Sequence, residues 1–212
     1  MSVIYDEEMC VGMKTREDGS LILKNVLMLG DSIRMGCCEY TKKYLENFAD
    51  VRFPDENCRY TQYTYTSLQN WKNLFANPEA VDAVYWNNGH WDIAHWDGAE
   101  ESLNSIGCYS EMLVKIYHKL KKYFPFAEII FSTTFPMNPN GIVGINPRNN
   151  KEIKEYNEAA KSVLIPLGAK IDDVFTQFSN MPEELYADYC HLVPKGFEIL
   201  GKHVADFIKS CI

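Results

Sequence analysis

A chain of 212 residues, 46% of them hydrophobic, is long enough to bury one substantial core and fits a single domain of ordinary size. Its formal net charge of -8 argues against a general affinity for nucleic acid or acidic membranes. No long uncharged apolar run and no basic leader running into an apolar core are visible, so neither a membrane span nor a signal peptide is expected. Seven cysteines, an odd number without a Cys-x-x-Cys pair, point to reduced thiols in a cytoplasmic protein rather than to a zinc or disulfide framework.

Residues 1–24 are mixed and weakly patterned, an arm or an edge hairpin preceding a domain over 25–212. From Asn25 the run Val26-Leu27-Met28-Leu29 is too short for a helix and too apolar for an exposed edge, and it ends in Gly30-Asp31-Ser32. That pattern predicts a buried strand carrying polar groups to its C-terminal end, where open α/β sheets bind ligands. The plainer reading of Asp31 and Ser32 is a turn and the N-cap of the next helix. Helical spacing follows over Arg34 to Phe48, then a short second strand over Asp50 to Pro54. Asp55 to Thr66, rich in Asn57, Arg59, Tyr60 and Tyr63, reads equally as a pocket wall or as a surface loop, with Ser67 capping the next helix.

Asp82 to Trp86 predicts a third strand, ending in Asn87-Asn88-Gly89-His90-Trp91-Asp92, another turn loaded with hydrogen-bonding groups. A long amphipathic helix spans Leu103 to Phe124, and a fourth strand spans Ala127 to Phe131. Met137 to Asn149 holds too many breakers for a regular element. A helix over Lys151 to Leu164, a fifth strand over Ala169 to Val174 and a last helix from about Lys195 complete the pattern. Five strands alternating with helices predict one three-layer α/β/α sandwich with a mainly parallel five-stranded sheet.

Just before the last helix stands Asp188-Tyr189-Cys190-His191. The three-residue offset suits a helical turn on which Asp188 orients one imidazole nitrogen of His191 while the other serves as a base. Ser32 would be the nucleophile. The alternative is a helix cap, or a histidine held by a surface aspartate.

Gly30-Asp31-Ser32, Asn87-Asn88-Gly89 and Asp188-x-x-His191 together resemble the SGNH hydrolases, the GDSL-type esterases and lipases, over about Asn25 to Ile208. The resemblance implies a flavodoxin-like sandwich, a Ser32 nucleophile, a His191 base oriented by Asp188, and no metal or other cofactor. The third block departs from the family's Gly-x-Asn-Asp, because Trp91 stands where the oxyanion asparagine is expected. The turn is similar to that of a branch with carbohydrate esterases. Asn88 is therefore expected to complete the oxyanion hole beside the Ser32 N-H, with Asn87 as the alternate. No glycine lies between Gly36 and Gly89, so a backbone N-H near Asn57, Cys58 or Arg59 is expected to replace that of the second block.

Hydrolysis of short acyl esters, O-acetyl groups on a carbohydrate above all, is the expected activity, on a small-molecule or oligosaccharide substrate. Asp31, Tyr60, His90 and Trp91 are the expected substrate contacts, although Trp91 and Trp96 serve equally as a lid or core patch. Two rival functions are a metal-dependent phosphoesterase using Asp31, Asp92, Asp188 and His191, and a non-catalytic carbohydrate-binding protein. Neither a phosphate-binding nor a dinucleotide glycine loop is present, which argues against a nucleotide cofactor.

Overall fold

Val26 to Leu29 are fully buried because β1 (Lys24–Leu29) lies inside a sheet, paired in parallel with β2 (Ala49–Arg52) on one side and β3 (Ala83–Trp86) on the other. The computed structural model describes residues 22–142 and 144–212. The expected arm or hairpin over residues 1–24 thus lies almost wholly outside the described residues. Beyond β3 the sheet continues, again in parallel, through β4 (Glu128–Ser132) and β5 (Lys170–Asp172), giving the order β2-β1-β3-β4-β5.

Side chains of a strand alternate between its two faces, so this sheet makes two cores. Leu27, Leu29, Val84, Trp86, Ile129 and Phe131 face one side, under α2 (Thr61–Trp71), α4 (Ile106–Tyr123) and α5 (Asn150–Leu164). Val26, Met28, Tyr85 and Ile130 face the other, under α1 (Ser32–Tyr44) and α7 (Pro194–Cys211). Two one-turn helices, α3 (His90–Ile93) and α6 (Val174–Gln177), follow β3 and β5. The three-layer sandwich with a parallel five-stranded sheet is as the sequence predicts.

Most boundaries move by a few residues, and one moves further. Helix α2 begins at Thr61, not near Ser67, so half of the stretch read as loop is helical. Thr61, Thr64 and Thr66 are β-branched and form helices poorly by themselves. The first turn is held from outside: Asp92 Oδ1 accepts the Thr61 N-H at 3.0 Å and its hydroxyl at 2.7 Å.

Two features of this topology place a site. The chain leaves β1 for β2 on one side and reaches β3 on the other, so a crevice opens beyond the C-terminal ends of β1 and β3. Helices α1 and α7 also touch closely. A Cβ on Gly201 would come within 2.6 Å of Tyr40 Cβ, and Thr41 Oγ1 donates to Gly201 O at 3.2 Å. Ser32 opens α1 and His191 lies three residues before α7, so this packing sets the distance between them.

Candidate active site

Asp31 caps α1 by accepting the Ile33 N-H on Oδ1 at 2.9 Å, and this presents Ser32, half-buried, at the helix's first position. Ser32 Oγ lies 2.8 Å from His191 Nε2, and His191 Nδ1 lies 2.8 Å from Asp188 Oδ2. The structure thus brings the three side chains into one hydrogen-bonded series, from Ser32 through His191 to Asp188.

The expected helical turn under Asp188 and His191 is replaced by a bend. Asp188 Oδ1 accepts the backbone N-H groups of Cys190 at 2.8 Å and His191 at 2.7 Å, and an antiparallel bridge between Tyr186 and Leu192 closes the loop. The carboxylate folds the turn that carries its own partner. Burial pushes its pKa up, but those two N-H groups and the imidazole outweigh it and hold the carboxyl at about 2.

Asn88 does not face this site. Its amide donates to Arg59 O at 2.9 Å and to Thr64 Oγ1 at 3.0 Å, and its Oδ1 accepts the Trp86 indole N-H at 2.7 Å. Both amide protons are spent in a fully buried position, so the expected oxyanion role of Asn88 is corrected: it ties β3 to the start of α2. Asn87 points to the opposite face, where its Oδ1 presses on Gly30. Two of the three expected backbone substitutes are also engaged: the Cys58 N-H donates to Gly30 O at 3.0 Å and the Arg59 N-H to Asn57 Oδ1 at 2.7 Å. Arg59 nevertheless has a left-handed φ of 54°, the conformation a glycine would favour in that place.

The expected substrate contacts divide. Asp31 is fully buried as a helix cap, which corrects its assignment to substrate; burial raises its pKa against the Ile33 N-H, the Asn87 amide and two arginines. Tyr60 is half-buried just before α2, edge-on to Tyr63 at 6.3 Å. Trp91 is half-buried and pairs with Trp96, their rings 5.0 Å apart. His90 is buried, and its Nδ1 accepts a hydrogen bond from Arg148 Nε at 3.2 Å.

Arg148 was not singled out by the sequence pattern. It reaches from the irregular loop before α5 to His90 and, through Nη2, to Cys190 Sγ at 3.6 Å. The available signal was that it is the one charged residue between Met137 and Asn149.

The four residues of the phosphoesterase alternative do not form one ligand set. Asp92 is fully buried with Oδ1 accepting from Thr61 and Asn104, and Asp31 caps a helix. Among the described residues the group with ligand spacing is Asp188, Cys190 and His191, which includes neither. No helix among those residues is long and apolar enough to cross a membrane.

No protein-family model and no curated protein matches the sequence. Solved structures do match in fold. A lipase/acylhydrolase from Enterococcus faecalis superposes with a TM-score of 0.68 at 19% identity, over 89% of this chain and 96% of that one. A GDSL-like lipase from Bacteroides thetaiotaomicron gives 0.67 at 12% identity, over 89% of each chain. An acetylxylan esterase from Geobacillus stearothermophilus gives 0.63 at 16%, over 87% of this chain and 94% of that one. At such identities the likeness is one of architecture, and the chain accordingly has the α/β/α fold of the GDSL-like lipases and acylhydrolases.

Proposed function

We propose that the protein is a serine esterase that hydrolyses short acyl esters through an acyl-enzyme. The observation that carries this reading is the relay of Ser32 Oγ, His191 and Asp188, with both contacts at 2.8 Å. His191 Nε2 takes the Ser32 proton as Oγ adds to the ester carbonyl. The tetrahedral oxyanion forms beside the Ser32 N-H, at the first turn of α1, where backbone donors have no helical partner. Collapse breaks the bond to the alcohol, which leaves with the proton from the imidazolium. Water then adds to the acyl-Ser32 ester with His191 as base, releasing the acid and restoring Ser32.

An O-acetylated carbohydrate is the substrate class we favour. Trp91 and Trp96 form a half-buried aromatic pair on the segment following β3, suited to the apolar face of a sugar ring. The fold is shared with an acetylxylan esterase, which is in keeping with that choice.

Ser32→Ala tests the reading. It should lower hydrolysis of p-nitrophenyl acetate by about 10³-fold or more and abolish labelling by a fluorophosphonate, with the fold intact. A folded variant keeping more than half the wild-type rate would remove Ser32 from the mechanism. Replacing Trp91 by Ala should raise KM for acetylated xylo-oligosaccharides and leave that for p-nitrophenyl acetate nearly unchanged.

A further inference from the structure

With the Asn88 amide spent and the Asn87 amide turned to the buried Asp31 carboxyl, an oxyanion formed on Ser32 still needs a side-chain donor, and the turn after β3 contains one. His90 is the first residue of α3 and is only 2% exposed. Arg148 Nε donates to its Nδ1 at 3.2 Å. A guanidinium has donors only and does not give up its proton, so Nδ1 must present a lone pair and the ring proton must sit on Nε2. That Nε2 is buried and has no partner among the described residues. Buried donors are normally paired, and an orphan beside a reactive cluster calls for an acceptor that arrives with the substrate.

We propose that His90 Nε2-H is the side-chain donor of the oxyanion hole, and that Arg148 is the positioning residue that holds His90 in this tautomer. The proposal deepens the esterase reading and rests on it. Among the described residues one other buried donor lacks a partner, Arg34 Nε, but the guanidinium of Arg34 is turned to the backbone oxygens of Pro54, Glu56 and Gly30. His90 instead shares Arg148 with Cys190, the residue before His191. Burial first, then the charges of Arg148 and His191, drive the His90 pKa well below the ordinary histidine value, so the ring stays neutral.

Arg148 bridges the two halves of the site. Its Nη2 meets Cys190 Sγ at 3.6 Å, and its guanidinium lies over the Tyr189 ring, 5.5 Å from the centroid. The same side chain that fixes the His90 tautomer therefore rests on the loop carrying Asp188 and His191. A neutral imidazole N-H in a dry position can stabilise negative charge without offering a proton that would quench it.

The test begins with the unmodified protein. A long-range ¹H-¹⁵N spectrum should show His90 with a protonated Nε2 and an acceptor-type Nδ1, and this signature should be lost in Arg148→Met. Steady-state kinetics on p-nitrophenyl acetate should then show kcat falling about 10²-fold in His90→Ala with KM within about threefold. His90→Gln, which can return an amide N-H to the same place, should recover about tenfold of that loss. Arg148→Met should lower kcat without raising KM, and Arg148→Lys should restore part of it. A wild-type spectrum with Nδ1 protonated overturns the tautomer lock. A folded His90→Ala with kcat within threefold of wild type overturns the donor role. If His90→Ala does not fold, a folded His90→Gln that is no more active than His90→Phe overturns it instead. Were the wild type to turn over no ester at all, the esterase reading would fail and the donor role with it. An active enzyme that is killed by Ser32→Ala but indifferent to His90→Ala would refute this inference alone.

Discussion

Asp188→Asn is the substitution for which the geometry makes the sharpest demand. Asp188 Oδ1 accepts two backbone N-H groups, from Cys190 and His191, while Oδ2 faces His191 Nδ1 at 2.8 Å. An asparagine must keep its carbonyl oxygen on the two N-H groups, because its own NH2 turned toward them would set donors against donors. The NH2 is then forced onto His191 Nδ1, which becomes an acceptor, and the ring proton moves to Nε2. That nitrogen faces Ser32 Oγ at 2.8 Å and can no longer take its proton. We expect kcat for p-nitrophenyl acetate to fall by about 10⁴-fold, or about 5.5 kcal/mol in the transition state. The turn keeps its two hydrogen bonds and the Asp188 side chain is 45% exposed, so Tm should move by no more than about 2 °C. Because the carboxyl titrates at about 2, loss of its charge should not contribute to any fall in activity above about pH 4. A folded Asp188→Asn within tenfold of wild type would refute the tautomer argument.

Burial, against the pull of Thr61 and Asn104, pushes the Asp92 carboxyl from 3.8 up to about 6. The folded state thus binds this proton more tightly than the unfolded chain, so stability declines as pH rises from about 4 through about 6, by up to about 3 kcal/mol for two pKa units. Asp92→Asn should remove that decline, gaining relative to wild type between about pH 4 and about pH 8 in urea midpoints, and an equal difference at both would contradict the burial argument. His203 Nε2 lies 2.8 Å from Asp172 Oδ1, and that hydrogen bond raises the imidazole pKa against the opposing effect of burial. Its contribution is complete below about pH 6.5 and lost as pH rises through the folded value, so His203→Gln should destabilise more at about pH 6 than at about pH 9; thermal melts showing the reverse would refute it. At Gly30 an added Cβ would fall 1.8 Å from Asn87 Oδ1 and 2.8 Å from Arg34 Cβ. Gly30→Ala should therefore cost about 1–3 kcal/mol, and adding Asn87→Ala should return part of it; additive losses would mean that the contact with Asn87 is not the cause.

The parts of this molecule that were legible in the sequence are those written in short-range pattern. Val26 to Leu29 and Ala83 to Trp86 each present a continuous apolar run because both faces of the sheet are covered, and the polar residues that follow mark the strand ends. Asp188 and His191 were legible as neighbours because only three positions separate them, although a bend and not a helical turn brings them together. What could not be read depends on partners far away in sequence. The start of α2 is fixed by Asp92, 31 residues beyond Thr61, so no local cap announces it. Asn88 and Asn87 are adjacent and chemically identical, and only the strand register decides their directions. One falls on the Trp86 side toward Thr64, the other on the Tyr85 side toward Gly30.

The turn after β3, taken residue by residue, separates holding from acting. Asn88 uses both amide protons and its carbonyl on Arg59, Thr64 and Trp86, while its backbone oxygen accepts from Tyr109 at 2.8 Å and Thr134 at 3.3 Å. Asp92 holds the start of α2 and Asn104 with one oxygen. These two side chains, four residues apart, fix the turn against α2 and against Asn104, and neither offers a free donor. His90 stands between them with one nitrogen committed to Arg148 and a donor left over. An asparagine in the Asn88 position can thus serve as a strut while oxyanion chemistry passes to a neighbour, provided that something fixes the neighbour's tautomer. A loop with a single charged residue supplies that. Under the proposed esterase reading, this division of labour would let a chain with tryptophan in place of the expected asparagine keep the architecture together with an oxyanion donor.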